Sequence, residues 1–330
     1  MGSKLDLKDK KLLSELDLDS RQSFNNLAKK LRISKNAIIY RVNNLKKVGI
    51  IKQFHTVVDT GKLGFIGFRI YLKLQNTDKK KEEEIIKFFK QKEIVTWVVS
   101  IEGDYNLGAL ILVRTIKEIN DLWNELLQKY GNYLDERLLT IMTHVSYFSR
   151  AYLLDKQKND YEITIISEPD EVKLDELDWK ILQILVPNAR AQIIEIAHKL
   201  KVTPKTIISR IKELERKKII VGYKTVFDLE KIGYQYFKIH FSLHNTTKEK
   251  VMAFRTFVKN HPNIIYDDEV LGGDDFEIEV QLKGTEELRK LIENIKEKFA
   301  NMIKEYKTMI YYKEHKYLLL PVKDISSSKH

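Results

Sequence analysis

Two short stretches of the sequence gather the side chains that bind phosphate oxygens and base edges. In the first, Ser34 is followed by Lys35, Asn36, Tyr40, Arg41, Asn44 and Lys47, with no acidic residue in between. The second offers Thr203, Lys205, Thr206, Ser209, Arg210 and Lys212, and also carries Glu213 and Glu215. A lysine is a point charge for phosphate, whereas an arginine can meet phosphate or the O6/N7 edge of guanine. Ala37, Ile38, Val42 and Leu45 recur at helical spacing beneath the polar residues, so the first stretch predicts a helix with a polar outer face. Ser34 and Thr203 are N-cap types, and Pro204 falls at the first helical position, where a missing N–H is harmless. Gly49 ends the first helix. The plainer account is a pair of solvated basic faces. The caps, the local charge and the recurrence of both favour double-stranded DNA.

These helices need elements to hold them. Leu12, Leu13 and Leu16, then Phe24, Leu27, Ala28 and Leu31, mark two further amphipathic helices before the first stretch. Two closely spaced helices joined by a turn form a helix-turn-helix, whose last helix fits the major groove. Alternating residues over Ile51–Val58 and Ile220–Phe227 read as wing strands.

Composition narrows the chemistry. The 330 residues carry a net charge of +11 with 43% hydrophobic residues, enough for several small cores. Residues 1–60 hold about 13 Lys/Arg against about 6 Asp/Glu, and 172–231 hold about 13 against about 8, so the excess belongs to two modules. The absence of cysteine excludes disulfides, thiolate nucleophiles and cysteine-based metal sites. No metal or cofactor is expected. With no apolar run long enough for a bilayer and a charged amino terminus, the chain reads as cytoplasmic, without a membrane partner.

One constant shift aligns the sequence with itself: Asp6 meets Asp175, Arg21 meets Arg190, Arg41 meets Arg210, and Gly64 meets Gly233. After each basic module the pattern changes to a strand, helix, two strands, helix and strand. The fold class is therefore α+β, with two winged helix-turn-helix domains (1–60 and 172–229) and two ferredoxin-like βαββαβ domains (65–150 and 234–322) in tandem. A linker is expected over 151–171. Each sheet has one face without helices, and the other copy is the nearest cover, giving an intrachain pseudo-dimer able to oligomerise further.

Taken together, Leu5-Asp6…Asp9 and Leu174-Asp175…Asp178, the capped helices with Arg41 and Arg210, and Gly49-Ile50-Ile51 and Ile219-Ile220 resemble the Lrp/AsnC family of transcription regulators in fused tandem form. The resemblance implies a DNA-binding domain joined to an effector-sensing, oligomerising domain, with an amino acid as the usual small-molecule effector. Its effector turn corresponds to Gly103-Asp104-Tyr105-Asn106, with Asn in place of the usual Asp, and to Gly272-Gly273-Asp274-Asp275, which lacks the aromatic. The alternative for these turns is plain hairpin geometry. Among other functions, an architectural chromatin-like protein would share the DNA contacts. A sirohaem-decarboxylase-like enzyme has little support, since Val95–Val113 and Ile264–Leu282 lack histidine. His240 and His244 read as surface residues, and Asp267-Asp268-Glu269 as a solvated acidic run.

Overall fold

The computed structural model describes residues 5–154, 161–166 and 172–321. The first half runs α1 (Leu7–Leu18), α2 (Phe24–Leu31), α3 (Lys35–Lys47), β1 (Ile51–Val58), β2 (Ile66–Leu74), α4 (Lys79–Gln91), β3 (Val95–Glu102), β4 (Leu107–Val113), α5 (Ile116–Tyr130), β5 (Leu134–Phe148) and β6 (Glu162–Ile166). The second runs α6 (Glu176–Leu185), α7 (Ile193–Leu200), α8 (Pro204–Arg216), β7 (Ile220–Phe227), β8 (Gln235–Leu243), α9 (Lys248–Asn260), β9 (Ile264–Leu271), β10 (Phe276–Leu282), α10 (Thr285–Phe299) and β11 (Ile303–Tyr317). Leu12, Leu13, Leu16, Leu27, Ile38, Val42 and Leu45 pack into one core and Ile181, Leu182, Leu185, Ile207, Ile211 and Leu214 into another, as their periodicity predicts.

The expected wings take a different form. β1 and β7 pair with each other, antiparallel, as a two-stranded ribbon shared by the two helical modules. A lone strand leaves its N–H and C=O groups unpaired, and here the matching strand of the other half satisfies them. Reciprocal bonds lock the ribbon: Thr56 Oγ1 donates to the Leu185 carbonyl at 2.8 Å and Thr225 Oγ1 to that of Leu16 at 2.7 Å. Arg190 donates to the carbonyl of Ser20 at 2.6 Å, while Arg21 donates to that of Ala189.

The remaining strands follow the order β2-β4-β3-β11-β8-β10-β9-β5-β6, and the additional β2–β5 pairing closes eight of them into a circuit. The halves therefore join edge to edge, through β3–β11 and β5–β9, rather than by stacking two open sheets. Helices α4 and α5 cover one arc and α9 and α10 the other, over separate apolar cores. The linker expected over 151–171 is partly structure: Tyr152 and Leu153 are buried in a 3-10 turn, and β6 extends the sheet on β5. The rest of that stretch, 155–160 and 167–171, lies outside the described residues.

The face of the circuit turned away from the helices is charged, which corrects two readings of the sequence. Asp267 and Asp268 are buried, not solvated, and His240 is completely enclosed. Arg69 of β2 pairs with Asp268 at 2.9 Å and Glu277 at 2.7 Å. Lys238 of β8 pairs with Asp268, with Glu277 at 2.8 Å and with Glu279 at 3.3 Å. Burial pushes the Asp268 carboxyl up, but Arg69 and Lys238 outweigh it and hold the group at about 2. For Asp267, the Ser146 bond and the Arg255 charge are outweighed by burial and the Asp268 charge beside it, which push its carboxyl up to about 6.

Truncating Lys238 to Met should cost roughly 3–5 kcal/mol in denaturant unfolding at pH 7, because it strands buried carboxylates. Asp267→Asn should do the opposite. Its folded pKa lies above the ordinary value of 3.8, so the contribution is complete below that pH and lost as pH rises through 6. The amide should therefore be more stable than the wild type at pH 8, by up to about 3 kcal/mol, and similar at pH 4, as paired unfolding curves will read.

Candidate nucleic-acid interface

Each helix-turn-helix is built from local chemistry. Helix α2 ends at Arg32, a non-glycine residue in the left-handed region (φ 53°), and Ser34 opens α3 by accepting from the Ala37 N–H. Lys201 (φ 56°) and Thr203 repeat that turn ahead of α8, where Thr203 accepts from the Thr206 N–H. In both, only three residues separate the helices, so the entry to the second helix faces outward from the module's core.

The structure places Ser34, Lys35, Asn36, Tyr40, Asn44 and Lys47 on the exposed face of α3, with Tyr40 72% exposed. On α8, Thr203, Lys205, Ser209 and Lys212 are exposed and Thr206 is half-buried. The acidic residues of α8 are occupied locally. Glu213 is bonded by Arg216 at 2.8 and 2.6 Å, and Glu215 accepts from the Tyr223 hydroxyl at 2.6 Å. The Arg216 bonds hold the Glu213 carboxyl at about 2.

Arg41 and Arg210 differ from the free guanidiniums expected. Arg41 Nη1 bonds Asp6 Oδ2 at 2.8 Å and Asp9 Oδ1 at 2.7 Å. These aspartates also cap α1: Asp6 Oδ1 accepts from the Asp9 N–H at 2.7 Å, and Asp9 Oδ2 accepts from the Asp6 N–H at 3.3 Å. Arg210 repeats the arrangement with Asp175 at 2.7 Å and Asp178 at 3.3 Å. Two charge-assisted bonds commit each guanidinium, so these arginines clamp the second helix of the turn onto the start of the module's first helix. Sequence reasoning missed the acidic partners, although Asp6 with Arg41 and Asp175 with Arg210 recur at the same shift.

The turns expected to hold an effector pack against the long strand of the opposite half. A Cβ on Gly103 (φ +140°) would lie 2.9 Å from the Thr308 carbonyl of β11, and one on Gly273 2.8 Å from Thr140 of β5. Asn106 Oδ1 accepts from the Leu74 N–H and Asp275 Oδ2 from the Leu243 N–H, both at 2.7 Å. Thus Asn and Asp do the same structural work here, since each offers the one oxygen required. Tyr105 is buried and stacked on Tyr71 at 5.5 Å. Asp274 accepts from Ser242 Oγ at 2.5 Å and lies 3.3 Å from His240 Nδ1. Gly103, Asp104, Gly272 and Gly273 remain exposed.

Among the described residues no helix is long and apolar enough to cross a membrane, and no group of three or more His, Asp or Glu is arranged to hold a metal. Residues 5–52 match a winged helix-turn-helix DNA-binding model, 174–215 an AsnC-type helix-turn-helix domain, and 237–319 an Lrp/AsnC ligand binding domain. An uncharacterised HTH-type transcriptional regulator of Pyrococcus abyssi is 33% identical over 133 residues, 39% of this chain and 86% of that protein. The HTH-type transcriptional regulator LrpA of Pyrococcus horikoshii is 30% identical over 120 residues, 36% of this chain and 82% of its own length. Among solved structures, the siroheme decarboxylase NirDL superposes with a TM-score of 0.63 over 96% of this chain and 94% of its own, at 16% identity, a likeness of fold alone. With helix-turn-helix modules in both halves, a matching ligand-binding domain and these relatives, each covered by this chain over more than four-fifths of its length, the chain belongs to the Lrp/AsnC family.

Proposed function

We propose that this chain is a sequence-specific, double-stranded DNA-binding transcription regulator, made by tandem duplication of a winged helix-turn-helix domain and a ferredoxin-like domain. The observation that carries this reading is the pair of exposed, N-capped helix entries mounted on one ribbon, with the acidic residues of α8 already partnered. Lys35, Lys47, Lys205 and Lys212 would meet phosphates, while Asn36, Tyr40, Asn44, Thr206 and Ser209 would face base edges. Ser34 and Thr203 keep their side chains on the backbone and position the entry. Arg41 and Arg210 act as positioning residues that hold the helix at the angle the groove requires.

The effector is a small molecule of amino-acid type, and the exposed atoms of Gly103, Asp104, Gly272 and Gly273 are where it would touch the turns. A ligand that binds one arrangement of the two halves better than another would shift the spacing of α3 and α8. The regulator would work in the cytoplasm. Gel shifts with genomic fragments, with and without each amino acid, test this reading: one sharp motif supports it, and equal affinity for all duplexes favours an architectural role.

Lys35→Ala should weaken binding to all duplexes alike and lower the slope of log affinity against log salt by about 1. Arg41→Ala and the double variant Asp6→Asn/Asp9→Asn should lower affinity to a similar degree, each with a loss of about 1 kcal/mol in stability, because both remove the same clamp. Were Arg41→Ala far the more damaging to DNA binding, the guanidinium would be a direct contact instead. Paired gel-shift and thermal-melt series separate the two.

A further inference from the structure

We infer that the buried charges inside the strand circuit restrict pairing to first half with second half, and exclude pairing of either half with its own kind. This stands apart from the DNA-binding reading. The first half contributes one buried cation, Arg69, and no acid to the network; the second contributes Lys238, Asp268, Glu277 and Glu279. At the positions matched by the internal shift, the first half has Val99, Gly108 and Leu110 in place of the three acids. At Gly108 there is no room for a carboxylate side chain, since a Cβ there would already lie 3.1 Å from both Ile101 and Val99.

The two like pairings follow from the same residues. Two first halves would bury a pair of Arg69 guanidiniums with no carboxylate supplied by the network. Two second halves would bury twice three carboxylates against two lysines, with a His240 ring 3.6 Å from each Glu277. A buried charge without its counter-ion costs several kcal/mol, whereas replacing a whole network by apolar residues is often neutral. The charges therefore act chiefly by penalising wrong partners. Only the mixed circuit brings Arg69 to within 2.9 Å of both Asp268 and Glu277. The same code would bar a chain from mixing with a symmetric two-copy relative whose inner face is uncharged.

Because the chain has no cysteine, engineered pairs report the pairing directly. Glu102 of β3 faces Ile310 of β11, and Ile141 of β5 faces Leu271 of β9, so a pairing of two first halves would instead set Glu102 against Ile141 of another chain. The full chain carrying Glu102→Cys/Ile310→Cys or Glu102→Cys/Ile141→Cys is refolded from denaturant at rising concentration, to about millimolar, where neighbouring chains compete with the tether. After oxidation, the first pair should crosslink fully and the second should join no chains. In a background with Arg69→Met, Lys238→Met, Asp268→Val, Glu277→Leu and Glu279→Leu, the second pair should join chains at least tenfold more. Should that background fail to form the Glu102→Cys/Ile310→Cys link, Arg69→Met alone replaces it, since it frees the first half from its charge. Equal joining of chains with and without the charges, or none in either background, overturns the inference.

Discussion

Closure of the strand circuit is the constraint on which the rest of the molecule depends. An open antiparallel sheet can leave one face wet, but a closed one has an inside, and every side chain pointing inward loses water. Arg69, Lys238, Asp268, Glu277 and Glu279 all lie there, so each must find its counter-charge or destabilise the fold. Lys238 finds its carboxylates within the second half, whereas Arg69 finds Asp268 and Glu277 only across the β5–β9 seam, which ties the completed network to the assembly of the two halves. The ribbon of β1 and β7 rests on this frame, and the helices that face outward rest on the ribbon.

The connection from circuit to ribbon is unequal on its two sides. Asp17 of α1 is buried and accepts from the Arg150 N–H at 2.8 Å and from Lys224 of β7 at 3.2 Å; Arg150 in turn donates to Gln281 of β10 at 2.9 Å. By the internal shift, Val186, Leu319 and His55 occupy the matching positions. Burial, with Lys224 and Arg150 nearby, pushes His55 down to about 3, so it stays uncharged. The first helical module is thus held to the frame by directional, charge-assisted bonds. The second is held mainly by apolar packing, which tolerates small displacements that an ion triad does not.

What the sequence disclosed and what it concealed divide along a physical line. Helices α3 and α8, their caps and the strands β1 and β7 were legible because periodicity and cap chemistry act within a few residues. The same local signals misled wherever a distant partner decides the environment. Phe276-Glu277-Ile278-Glu279-Val280 alternates as a half-exposed strand should, yet all five residues are buried, because the far half of the chain covers the charged face. The polar face of α3 likewise marks Arg41 as available, and nothing local indicates that Asp6 and Asp9 claim it. The wing failed for the same reason: a single alternating strand does not say whose strand will pair with it. Residues 162–166 were passed over because a five-residue edge strand between polar stretches carries almost no pattern.

Equivalence of mounting and difference of surface bear together on recognition. The locks of Thr56 with Leu185 and Thr225 with Leu16 are reciprocal, as are the clamps of Arg41 and Arg210, so the two helix entries are held by the same means. The surfaces they present are not the same: Asn36, Tyr40 and Asn44 on α3 stand where Lys205, Ser209 and the Arg216-bonded Glu213 stand on α8. Amide and aromatic groups read base edges and thymine methyls, whereas lysine favours phosphate or guanine. In the proposed role, spacing would then be set by the shared ribbon and its reciprocal locks, while base preference would differ between half-sites. A chain that joins both helices covalently can afford that difference, since it need not present one surface twice.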